Sequence, residues 1–210
     1  MPGPEVIVIG GSAGGMKAVQ GIFSTLTGIG DSVGIVVLHR PPTHSPLTAV
    51  LQSYTRIPIR EPDDSPSECP PGTVTVAPAG YHLLLGRRRR LSSDPQSPVA
   101  PYVDEPGVRA HLSLEAPVAY SRPSIDVTFG AAAEFADSVV AVLLSCANED
   151  GAAGCAAVQA AGGRVVLQDP ATCEAAVAVN AALRRVDPDH IADPRGIGEW
   201  LTAVVARTAG

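Results

Sequence analysis

The sequence predicts an α/β fold: a doubly wound, mostly parallel sheet with helices on both faces and a hairpin excursion in the middle of the chain. Three observations carry this prediction. Val6-Ile7-Val8-Ile9 is an apolar, β-branched run of the kind that forms a strand buried on both faces, and it enters the glycine-rich turn Gly10-Gly11-Ser12-Ala13-Gly14-Gly15. After Ser124 the chain alternates apolar strand patterns with alanine-rich helical ones, the rhythm of parallel strands joined by crossover helices. Between these two parts, from Ile57 to about Ser121, proline and glycine are scattered among short alternating segments.

In chain order, the first strand is followed by a helix over Met16 to Leu26 and a strand over Gly34 to Leu38, ending at His39. A right-handed parallel crossover brings both strand ends to one edge, so Ser12 and His39 are expected to meet there. Pro46 to Tyr54 fits a short helix with Leu47, Val50 and Leu51 inward. Thr73 to Ala77 and Tyr81 to Leu85 read as hairpin strands, better placed at an edge or in a surface excursion than at a sheet centre, and Ser92 to Gly107 reads as a loop. The second α/β half then supplies a helix over Ile125 to Phe135, a buried strand over Val139 to Ser145 and a helix over Ala152 to Ala161 ended by Gly162-Gly163. A strand over Arg164 to Gln168, a helix over Ala171 to Leu183 and a last helix over Ile197 to Ala206 complete it. With 210 residues and no internal repeat, one domain spanning 1–210 is expected.

A formal charge of -6 offers no basic footprint for nucleic acid. The block Arg87 to Arg90 is the exception; it reads as a solvated hairpin end, with a docking patch for an acidic partner as the functional alternative. Cys69, Cys146, Cys155 and Cys173 form no C-x-x-C pair and have no histidine at metal spacing, so they read as small buried apolar residues rather than zinc ligands or a disulfide framework. No cofactor or metal is expected. Without a secretory leader pattern or a run of eighteen apolar residues, membrane insertion is not expected and a cytoplasmic location is.

Gly10-x-Ser12-x-Gly14 matches the nucleophile elbow, in which a strand-to-helix turn holds a serine hydroxyl exposed above a sheet beside backbone N–H groups that can receive an oxyanion. Glycines at 10, 11, 14 and 15 permit that turn. The competing reading is a phosphate-cradling turn at a helix N-terminus, but Ser12 stands where the dinucleotide fingerprint needs glycine and no Gly-Lys-Ser/Thr follows. A serine needs a base and a group to orient it. His39, at the polar end of a buried strand, is the first candidate base, and Asp150, after the most apolar strand, the candidate orienter. Asp150 could equally be a helix N-cap, and Glu149 and Asp169 are nearby alternatives. Of the other histidines, His82 lies in a hairpin strand, His111 in the irregular segment and His190 in a polar loop, while His44 stays open as a second base near His39.

GGSAGG at 10–15, VVLHRPP at 36–42, VTVAPAGYHLLL at 74–85, RPSIDVTF at 122–129, NEDGAAG at 148–154 and AGGRVVLQDPAT at 161–172 occur in the order and spacing of one family. Over nearly its whole length the chain resembles the catalytic domain of CheB-type chemotaxis methylesterases, which hydrolyse glutamate methyl esters on receptors. The resemblance implies a triad of Ser12, His39 and Asp150, oxyanion donors in the Ala13 and Ala147 amides, and glutamine deamidation as a side activity. It also implies a methylated receptor or other protein as substrate. Two stretches depart from the family. Its glycine-methionine-glycine before the aspartate is Cys146-Ala147-Asn148 here, and its later glycine-methionine-proline is Val177-Ala178-Val179. The chain opens at the first strand, so control by a receiver domain in cis is not expected and a trans-acting receiver or signalling protein would take that part. The alternative is a binding or regulatory module in which the fold persists and the chemistry has faded.

Overall fold

The computed structural model describes residues 4–43, 45–91 and 102–206. In chain order the elements are β1 (Val6–Gly11), α1 (Gly15–Phe23), β2 (Val33–Leu38), α2 (Leu47–Gln52), β3 (Ile59–Arg60), β4 (Ser67–Cys69), β5 (Val74–Val76), β6 (His82–Leu91) and β7 (Tyr102–Ser113). They continue as α3 (Ile125–Ala132), a 3-10 segment over Ala133–Ser138, β8 (Val139–Leu143), α4 (Ala152–Ala160) and β9 (Arg164–Gln168). A short 3-10 turn over Pro170–Thr172, α5 (Val177–Leu183), β10 (His190–Ala192) and α6 (Pro194–Ala206) complete the series.

Seven strands form one sheet in the order β10-β9-β8-β1-β2-β5-β3, and every pairing in it is parallel. β1 is buried along its length and lies between β2 and β8, with Gly11 beside Leu38 and Gly10 beside Leu143. From β1 the chain builds outward first through β2 and later through β8, so the sheet's switch point falls at β1. Crevices beyond the carboxyl ends of the strands at such a point are where open α/β sheets place their ligands.

Period-two alternation divides the buried side chains between two cores. Val6, Val8, Ile35 and Val37 face one side, where they pack with Ile125 and Phe129 of α3, Cys155 of α4 and Ala178 of α5. Ile7, Ile9, Val36 and Leu38 face the other, against Val19 and Ile22 of α1, Leu51 of α2 and Leu201 of α6. Phe129 and Phe135 have no exposed surface; each contributes roughly 1.5–3 kcal/mol by burial.

A second, antiparallel sheet of order β4-β7-β6 covers the first core with Leu83, Leu85, Val108 and Ala110. This is the hairpin excursion, with three departures from the sequence reading. Val74–Val76 is an interior strand of the large parallel sheet, between β2 and β3, because Val74 and Val76 fill the second core. Residues 102–107, read as loop, belong to β7, whose backbone pairs with β6 as far as Leu91; the remainder of that predicted loop, 92–101, and His44 lie outside the described residues. Arg87 departs from the solvated reading, since it is half-buried in β6, pairs with Glu5 at 3.2 Å and lies 4.7 Å over the Phe135 ring, whereas Arg88, also in β6, is exposed and meets Glu105 at 3.2 Å.

In the second half, the helix expected over 171–183 splits, because Asp169 caps the short 3-10 turn at Ala171 and α5 begins only at Val177. The helix expected to Phe135 tightens to 3-10 geometry after Ala132. His190, read as loop, starts the edge strand β10 and stacks on Trp200 with ring centroids 5.5 Å apart. No helix of the described residues is long and apolar enough to cross a membrane.

α3 crosses close beneath β1, so a Cβ at Gly10 would collide with Ile125 and reach 3.1 Å from Phe129. Gly10→Ala is therefore expected to cost about 1–3 kcal/mol, measured as a fall in the urea midpoint at unchanged m-value.

Candidate functional site

Three carboxyl-end loops of the sheet build the site. At the end of β1, the ladder continues one step past the strand: Ser12 N–H donates to Ser145 O at 2.9 Å, and His39 N–H to Gly11 O at 3.1 Å. Ser12 and His39 thereby follow neighbouring strand ends. Gly14, at φ 75, turns the chain into α1 in the left-handed region that favours glycine. Buried Ser145 holds this turn, donating from Oγ to Ala13 O at 2.6 Å and accepting from Ala175 N–H at 2.9 Å. Gln168 holds Ser145 in turn, accepting its N–H at 2.9 Å.

Asp150 follows β8 and is fully buried at its side chain. Its Oδ2 lies 2.7 Å from His39 Nε2 and accepts the Ile125 N–H at 2.8 Å. Oδ1 accepts the Ser124 hydroxyl at 2.8 Å and the Asp126 N–H at 2.9 Å. The carboxylate thus sits on the first amides of α3, where unpaired N–H groups favour an anion. Burial pushes Asp150 up, but the bonds from His39, Asp126, Ile125 and Ser124 outweigh it and leave the carboxyl below its ordinary value.

Asp126 returns the arrangement, accepting the Gly151 and Gly154 amides at 2.9 and 2.7 Å at the start of α4. Each aspartate thus caps the helix of the other. Burial, together with the charge of Asp150, pushes the Asp126 carboxyl up against those bonds.

A carboxylate only accepts, so His39 Nε2 carries the hydrogen and Nδ1 the lone pair. The bond made to Nδ1 comes from Ser121 Oγ at 3.1 Å. The structure therefore joins His39 to Asp150 directly, and the Cys146 thiol lies in the loop just before that aspartate. Burial and the Asp150 charge push that thiol up, and the Asn148 and Ala147 amides and the Ser12 hydroxyl oppose them. The thiol donates to Asn148 Oδ1 at 3.0 Å.

The other candidates stand elsewhere. Glu149 is a surface residue between Arg184 and Arg185 at 3.2 and 3.6 Å, and Asp169 caps its 3-10 turn. His82 is buried as a strut, with Nε2 3.1 Å from Ala116 O and Nδ1 accepting Ser124 N–H at 3.2 Å. His111 is exposed on β7. Cys69, Cys146 and Cys155 are buried, but Cys173 is partly exposed, with its thiol pushed up to about 11 by burial and by Asp169. Ser121, Ser124, Asp126 and Asn148 escaped the reading of individual residues. Only Ser124 carried a local signal, a serine directly before a helical pattern, where its Oγ accepts from Val127 N–H.

Since the Asp150 carboxyl is held low, its contribution to stability is complete above the unfolded carboxylate pKa and is lost as pH falls through the folded value. Asp150→Asn should lower the thermal midpoint at neutral pH and flatten this part of the acid-side decline, read from midpoints measured between about pH 2 and 7.

Comparison with known proteins places the chain in a family. A family model described as CheB methylesterase matches residues 7–201. A Leptospira interrogans protein, provisionally named protein-glutamate methylesterase/protein-glutamine glutaminase, is 34% identical over 197 residues, covering 93% of this chain and 92% of that one. The protein of that name from Paraburkholderia xenovorans is 33% identical over 171 residues, 80% of this chain but 42% of the relative. The crystal structure of the Thermotoga maritima CheB methylesterase catalytic domain superposes with a TM-score of 0.82 at 26% identity, covering 97% of this chain and 100% of that one. The chain belongs to the CheB methylesterase family.

Proposed function

We propose that this protein is a serine hydrolase that removes methyl esters from glutamate side chains of a protein substrate, releasing methanol, and that it deamidates glutamine side chains at the same site. The observation that carries this reading is the 2.7 Å bond between His39 and Asp150, made beside the end of the strand that presents Ser12. Family membership and the names of the relatives support the substrate chemistry. A chemotaxis receptor, a cytoplasmic site of action and control by a receiver protein acting in trans belong to the same reading, as does one catalytic unit formed by the whole chain.

Each residue has a part in it. Ser12 Oγ attacks the ester carbonyl carbon while His39 Nδ1 accepts its proton, Nε2 being engaged by Asp150. The tetrahedral intermediate's oxygen is received by the Ala13 and Ala147 amides. Its collapse breaks the carbon–oxygen bond to the methoxy group, which takes the proton from His39 and leaves as methanol. Water, deprotonated by the same nitrogen, then attacks the acyl-enzyme, frees Ser12 and yields the glutamate carboxylate. With a glutamine substrate the leaving group is ammonia. Asp150, held ionised on α3, keeps the imidazole tautomer and takes no proton itself.

Methanol release from a methylated receptor protein should fall by at least ~10³-fold in Ser12→Ala and in His39→Ala, with the circular dichroism spectrum unchanged. Turnover retained in Ser12→Ala would overturn the assignment.

A further inference from the structure

Both ring nitrogens of His39 are occupied in this structure, one by Asp150 Oδ2 at 2.7 Å and the other by Ser121 Oγ at 3.1 Å. Nδ1, which holds the lone pair, is the atom that on the reading above must take the Ser12 proton. The hydroxyl bonded to it belongs to Ser121.

The segment that brings Ser121 there is tightly built. Val118 and Ser121 exchange backbone hydrogen bonds at 3.1 and 2.8 Å, closing a two-residue hairpin. Its central residues, Ala119 at φ 47 and Tyr120 at φ 64, are in the left-handed region without being glycine. Non-glycine residues persist there only where surrounding contacts hold them. One such contact is Asn148, whose Nδ2 donates to Ala119 O at 3.0 Å while its Oδ1 accepts from Cys146 Sγ and from Asp150 N–H at 3.0 and 3.2 Å. The turn is thereby tied to the loop that carries Asp150. It also lines a cleft of about 440 Å³ together with His39, Arg40 and Pro117, and Tyr120 at its tip is fully exposed.

We propose that Ser121 is a positioning residue that keeps the proton-accepting nitrogen of His39 occupied in the resting protein and yields it when a substrate segment enters this cleft. Ser12 then becomes nucleophilic only in the substrate complex. The proposal rests on the hydrolase reading. Because three hydrogen bonds from the start of α3 fix Asp150, the imidazole keeps its bond to that carboxylate when Ser121 leaves.

The test compares the wild-type chain with Ser121→Ala and Ser121→Thr, all folded by circular dichroism. The rate at which a small fluorophosphonate labels Ser12 is followed by peptide mass mapping, and the His39 ring nitrogens by NMR. Ser121→Ala should label Ser12 about tenfold faster, equivalent to about 1.4 kcal/mol, and shift the Nδ1 resonance. Ser121→Thr, which restores a hydroxyl, should match wild type in both. Equal or slower labelling in Ser121→Ala, an unmoved Nδ1 resonance, or an adduct on Ser121 itself would overturn the proposal. Methanol release by the same preparations separates the two readings: release that persists alongside unaccelerated labelling sinks the latch alone, whereas an unreactive Ser12 and no methanol in any of the three sink both.

Discussion

The Asp150 carboxylate, seated on the N-terminus of α3, is the contact on which the site's geometry depends. Its side chain is fully buried, and an ionised carboxylate in that setting survives only with every oxygen occupied. Two backbone amides, the Ser124 hydroxyl and His39 Nε2 supply the partners. Three of the four donors come from consecutive residues of one helix start, so the position of α3 under β1 decides where the carboxylate can stay charged. The imidazole then takes its tautomer from that charge, leaving Nδ1 as its proton acceptor.

Two features hold α3 in that place. Its apolar face fills the core beneath β1, where Gly10 leaves room for Ile125 and Phe129. The exchange of caps between Asp150 and Asp126 ties the start of α3 to the start of α4 through Gly151 and Gly154. Gly151, at φ 101, precedes α4 in a conformation that would strain any side chain, and a Cβ there would meet Leu143 and Ile125. The second, antiparallel sheet bears on the same helix: Thr128 donates to Leu83 O at 2.7 Å, and His82 accepts the Ser124 amide. The hairpin excursion therefore supports the site from behind as well as covering the core.

The loop where the family has glycine-methionine-glycine carries its own side-chain chemistry in this chain. Asn148 connects the Cys146 thiol, the Asp150 amide and the Ala119 carbonyl. Side chains take up positions that glycines would leave open, and through Asn148 the loop is coupled to the hairpin that places Ser121 on His39. In this arrangement the hydroxyl on Nδ1 is the one that the hairpin presents, that of Ser121.

The parallel sheet, its buried strands and the glycine turn at Ser12 were legible in the sequence because they are local: β-branched runs bury on both faces, and only glycines fit the turn. For the same reason the ends of β1, β2 and β8 could be named as one rim carrying Ser12, His39 and Asp150. Residues whose environment comes from distant segments were not legible. Val74–Val76 has the composition of an edge strand but becomes interior because β2 and β3 pair with it on either side. Nothing near Ser121 or Asn148 in sequence indicates their roles, since their partners are 82 and 29 residues away. By itself the sequence indicated candidate side chains and the strand ends at which they lie. Only the tertiary structure decided which hydroxyl touches the imidazole and which of its nitrogens faces Asp150, because hydrogen-bond partners are chosen by distances of tenths of an ångström between segments that meet only on folding.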